Sequence, residues 1–108
     1  MVKFYNEMPE MTFFAGDTLP IFTVTVNRNS LENCSMRMVV SRINPPKEAI
    51  IVKDCNKYPD CFQGHLQSSD TKNLQEGTYR ISFIMTDNDG LEYIKLSGIM
   101  HVRSTERL

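Results

Sequence analysis

The chain contains no tryptophan, only three cysteines, no long apolar run and no block of like charge. Each shortage excludes something. Without Trp, a core built on an indole packed against an inter-sheet disulfide is ruled out. The cysteines, Cys34, Cys55 and Cys61, are odd in number. The first residues, MVKFYNEMPEMTFF, lack the basic start and apolar run of an export signal. Together these argue against a disulfide framework and predict reduced, structural thiols in a chain made in the cytoplasm. Apolar runs of a few residues fall far short of the ~20 needed to span a bilayer, so no membrane partner is expected. Twelve Lys and Arg against thirteen Asp and Glu give a net charge of −1. That balance leaves no electrostatic footprint for nucleic acid. No Gly-rich phosphate loop, nucleophile elbow or paired carboxylates occur, so no catalytic residue, cofactor or enzymatic activity is predicted.

What is present is a globular composition, 41% hydrophobic and 23% charged over 108 residues. That length fits one domain, residues 1–108, large enough to bury a core without a metal or disulfide. Residues 1–10 have little periodicity and, with 104–108, read as tails or edge segments. MTFF is a short apolar piece stopped by the turn pair Gly16-Asp17. In residues 19–26, Phe22, Val24 and Val26 alternate with Ile21, Thr23 and Thr25, the pattern of a half-buried strand. In residues 35–43, Met36, Met38 and Val40 share one face while Arg37, Val39 and Ser41 share the other. Residues 49–53 form a short strand, and DCNKYPD reads as the turn after it. Phe62 and Leu66 oppose Gln63, His65 and Gln67. Ser69 and Asp70 are candidate caps for a single helical turn. Tyr79, Ile81, Phe83 and Met85 face one way and Arg80, Ser82, Ile84 and Thr86 the other. Asp87-Asn88-Asp89-Gly90 is a hairpin turn. Gly98 interrupts the returning strand and marks a bulge or a change of sheet, with Met100 and Val102 inward.

About seven short antiparallel strands with turn signals every 8–12 residues predict an all-β sandwich. An OB-like barrel is the structural rival, disfavoured for want of a longer helix and a basic, aromatic face. Asp87–Gly90 resembles the start of a calcium loop, but the twelfth position is Gly98 rather than a bidentate Glu, which leaves a turn with at most a weak Ca²⁺ contact. Cys55 and Cys61 flank NKYPD and are placed to face each other across a hairpin, with a redox pair as the minor alternative. Cys61 and His65 share a strand face, yet no short Cys-x₂₋₄-Cys pair accompanies them, so no metal site is predicted. His65 and His101 are read as exposed. Gly77-Thr78-Tyr79 looks like the tyrosine corner of immunoglobulin-like sandwiches, with Gln75 where antibody domains often carry Asp.

Further residues carry a family resemblance: Gly16 and Asp17, the spacing Thr71-x-x-Leu74-x-x-Gly77-x-Tyr79, the turn Asp89-Gly90, and Gly98-x-x-x-Val102. They cover about half the chain, chiefly its two ends. In these residues the sequence resembles the immunoglobulin-like domains of phage and prophage tail proteins, of the upper baseplate or fibre-adaptor type. The resemblance implies a non-catalytic virion module that works by protein–protein contact with other tail proteins, often within homo-oligomers. A bacterial cell-surface or secreted immunoglobulin-like binding module is the alternative. For an interface, the apolar groups Phe4, Tyr5, Met8 and Met11 and the loop residues Tyr58 and Pro59 are the candidates.

Overall fold

A computed structural model describes residues 6–26, 31–44 and 48–104. Among the described residues are nine strand segments and one helical turn: β1 (Asn6–Glu7), β2 (Met11–Phe14), β3 (Phe22–Thr25), β4 (Ser35–Arg42), β5 (Ala49–Asp54), β6 (Asn56–Lys57), β7 (Cys61–Gly64), α1 (Ser68–Thr71), β8 (Gly77–Thr86) and β9 (Glu92–Arg103). They form two sheets. The larger runs β1-β9-β8-β4-β5, with β2 also on β9, and the smaller runs β3-β7-β6. This is the all-β sandwich that the alternations predict.

Period-two alternation decides which residues meet between the sheets. Met36, Met38 and Val40 of β4, Tyr79, Ile81, Phe83 and Met85 of β8, and Met100 and Val102 of β9 are all buried from the larger sheet. Val24, Val26, Phe62 and Leu66 meet them from the smaller one. Phe22 and Phe83 join the two sheets edge to face, with ring centroids 5.6 Å apart, a favoured aromatic geometry. Gly64 leaves room at the same place. A Cβ there would stand 3.0 Å from the Phe83 ring and 3.2 Å from both Cys55 Sγ and Met38 Sδ.

Several local expectations are corrected. The strands are not all antiparallel, because β1 and β2 run parallel to β9. Of the tail and edge alternatives for the N-terminal residues, the edge holds from residue 6: Asn6 and Glu7 pair with Leu96 and Ser97, and the Met8 amide donates to the Ser97 carbonyl at 2.8 Å. Gly98 marks neither a bulge nor a change of sheet, since it lies inside the unbroken β9 opposite Ile81. Its missing side chain admits Met8, whose Cβ would be 2.9 Å from any Cβ added at Gly98. The bulge falls nearby instead. Phe83 pairs with Leu96 and Ile84 with Ile94, leaving Lys95 as the extra residue. The change of sheet occurs within the segment read as a turn. Cys55 still donates to the Met36 carbonyl of β4 at 2.9 Å, while Asn56 already pairs with Gln63 of β7. Finally, Gln67 rather than Ser69 or Asp70 is the N-cap of α1, and Asp70 reaches back to accept the Gln67 amide at 2.8 Å.

Candidate functional site

The residues singled out for chemistry are dispersed. Cys55 points into the sandwich beside Gly64, whereas Cys61 alternates with buried Phe62 and so lies with Gln63 and His65 on the outer side of the smaller sheet. Cys55 and Cys61 therefore do not face each other across the β6–β7 hairpin. Cys55 Sγ lies instead against Gly64, 3.2 Å from where a Cβ there would stand, and all three cysteines are free. Burial, reinforced by Asp54, pushes the Cys55 thiol up to about 11. Among the described residues no group of three His, Cys, Asp or Glu side chains is placed to hold a metal ion. His65 is half-buried and its Nε2 lies 2.9 Å from the Leu19 carbonyl. His101 is also engaged rather than free, with Nε2 2.9 Å from Glu10 Oε2 and Nδ1 3.3 Å from Thr78 Oγ1. The Asp87 carboxylate accepts the amides of Asp89 and Leu91 at 2.9 and 3.0 Å, closing the β8–β9 turn.

The corner residues act locally. The buried Tyr79 phenol donates to the Gln75 carbonyl at 2.6 Å, so the backbone of residue 75 supplies the acceptor and its side-chain type is immaterial. Gly77 starts β8 opposite Val102. Thr71 is fully buried and bridges two elements. Its hydroxyl donates to the Asp17 carbonyl at 2.7 Å and accepts the Gly16 amide at 3.1 Å. The Gly16-Asp17 turn is thereby fastened to α1. Beside it, Lys53 on β5 reaches across the open side of the sandwich to the His65 carbonyl and to Asp70 Oδ2, both at 2.8 Å.

Of the residues named for an interface, four lie among the described residues. Met8 and Met11 are partly buried against the core along the β9 edge of the larger sheet. Tyr58 and Pro59 are exposed at the β6–β7 turn, in the smaller sheet. Phe4 and Tyr5 lie outside the described residues.

A different apolar surface is present. On the outward face of β5-β4-β8-β9, Val52 stands opposite Val39, and in the next row Ile84 stands opposite Ile94. The four form a diagonal stripe across the sheet, in which Val39 faces Ser82 and Ile84 faces Arg37 across the β4–β8 seam. Val52 and Ile94 are 58% and 42% exposed, and Val39 and Ile84 are half-buried. An outward sheet face is ordinarily polar. The rim here carries charge of both signs. Arg37 Nη1 bonds Glu92 Oε2 at 2.8 Å and holds the Glu92 carboxyl below its ordinary range, and Asp54 lies opposite Arg37. On the other side Arg80 donates to Ser97 Oγ at 3.1 Å. By alternation alone Val39 falls with Arg37 and Ser41, and Ile84 with Arg80, Ser82 and Thr86. Single apolar residues on separate strands are unremarkable, and only the register shows that they adjoin.

No protein-family model and no curated protein matches the chain. Among solved structures, the fibronectin(III)-like modules of Clostridium thermocellum CbhA are similar in backbone, with a TM-score of 0.51 at 16% identity. The match covers 90% of this chain and 92% of that one. At this identity the likeness is one of fold: an immunoglobulin-like, fibronectin(III)-like β-sandwich.

Proposed function

We propose that the domain is a non-catalytic structural module of a phage or prophage tail, at a baseplate or fibre attachment, working in the virion through contacts with other tail proteins. The observation that carries the contact reading is the stripe Val52-Val39-Ile84-Ile94, which the fold leaves facing outward. Apolar side chains that adjoin on an outward sheet face, rather than standing singly, favour a contact role. The tail assignment is supported by the resemblance in Gly16, Asp17, Thr71, Leu74, Gly77, Tyr79, Asp89, Gly90, Gly98 and Val102. A second reading, a binding module of a cell-surface or secreted protein, is equally compatible with the immunoglobulin-like fold.

Two observations separate the readings. Neighbouring genes for tail, tape-measure or lysin proteins accompany a tail module, and peptides of this chain appear in mass spectra of particles purified from the induced host. Recovery in the cell-envelope or secreted fraction, with none in particles, would instead establish the second reading.

A further inference from the structure

We propose that the outward face of β5-β4-β8-β9 is a self-association surface, on which two copies of this chain pack face to face about a two-fold axis. The proposal rests on the contact reading above and names its partner.

The first argument is shape. Val39, Val52, Ile84 and Ile94 are short, β-branched and set on a regular twisted sheet, so they present a shallow apolar surface with no pocket for a long anchor. A surface of that form is matched by another sheet face, since sheets pack on one another with side chains interdigitating about 10 Å apart. This is how the larger sheet already packs through its inner side.

The second argument is charge. An isologous interface sets a patch against itself, so its rim must be self-complementary. Here Arg37 and Arg80 stand beside the stripe with Glu92 and Asp54, two charges of each sign. A two-fold rotation can place positive groups of one rim near negative groups of the other. A partner of strongly one-signed charge would meet repulsion from half of this rim. The whole chain has a net charge of only −1, so long-range repulsion between copies is weak.

Size sets the expected strength. Four strands about 4.8 Å apart, over roughly five residues of about 3.4 Å, give a flat patch of about 300 Å² per copy. This lies well under the roughly 800 Å² per partner of a standard stable complex. The dimer is therefore weak and transient in the isolated domain, with a dissociation constant between tens of micromolar and about 1 mM.

Sedimentation velocity from about 10 μM to about 1 mM tests this, a range that brackets weak association. The wild type is expected to shift from monomer toward dimer. The variant Val52→Lys/Ile94→Lys should remain monomeric throughout, with an unfolding midpoint close to wild type. If that variant fails to fold, Val52→Thr/Ile94→Thr replaces it. Arg37→Glu should weaken association by bringing like charges together, and Arg37→Glu/Glu92→Arg should restore it. A wild type that stays monomeric at about 1 mM, or a folded stripe variant that associates as tightly as wild type, would overturn the proposal. A monomeric domain found in purified particles would overturn self-association and leave the assembly reading standing. A dimeric domain absent from particles would do the reverse.

Discussion

The inner and outer faces of the larger sheet are built by the same strands from alternate residues, and they use apolar side chains differently. On the inner face Met38, Val40, Ile81, Phe83, Met85 and Met100 are completely buried, and each packs into a common core with Phe62 and Leu66. On the outer face Val39, Val52, Ile84 and Ile94 form two cross-strand pairs that meet diagonally and keep much of their surface in water. Burial of a large apolar side chain is worth roughly 1.5–3 kcal/mol. The inner residues collect that on folding; the outer ones collect it only when something covers them. The comparison teaches that hydrophobicity in a strand separates into a part that specifies the fold and a part available for contact.

The comparison can be broken most severely on the inner face. Phe83→Ala removes a ring packed against Phe22 and the Gly64 backbone, and should lower stability by about 3–5 kcal/mol in denaturant unfolding. Next is Gly98→Ala. The new methyl meets the Met8 Cβ rather than a flexible chain end, so β1 must move off β9, at a cost of about 1–3 kcal/mol. Faster amide exchange at Met8 would report that displacement. Tyr79→Phe removes one hydrogen bond to the Gln75 carbonyl, and a loss of about 1 kcal/mol is expected.

A smaller, pH-dependent effect comes from the side of the sandwich. Burial raises the affinity of Asp70 for a proton, but the Lys53 ammonium and the Gln67 amide outweigh it and hold the carboxyl below 3.8. A group with a depressed folded-state pKa contributes stability that is present above its unfolded pKa and is lost as pH falls through the folded value. The difference in unfolding midpoint between wild type and Asp70→Asn should therefore be constant at neutral pH and close below about pH 4. The smallest effect on stability belongs to the outer face: Val52→Lys/Ile94→Lys should change it by no more than ~0.5 kcal/mol.

Much of the inner face was legible in the sequence, because alternation in residues 22–26, 35–41 and 79–85 fixes sidedness without knowledge of partners. What escaped depends on contacts between distant segments. Gly98 resembles any strand glycine until Met8 is placed on it. Cys55 belongs to a segment with the composition of a turn, and only pairing with both Met36 and the neighbourhood of Gly64 makes it the crossing point between sheets. Met8 and Met11 look like spare apolar groups until β9 is long enough to hold both β1 and β2 along one edge. The candidate contact face escaped for a related reason. Ile84 and Ile94 pair near the hairpin turn, but only the bulge at Lys95 puts Ile94 on the opposite face from Leu96, and Val39 and Val52 join them only through β4.

The most direct measurement of the central claim is a dilution series of two-dimensional amide and methyl NMR spectra. If the outward face is the contact surface, concentration-dependent shifts will be confined to the amides and methyls of Val39, Val52, Ile84 and Ile94 and their rim, with the core methyls of Ile81 and Val40 unmoved. Shifts centred on the smaller sheet, or spectra independent of concentration up to about 1 mM, would contradict it.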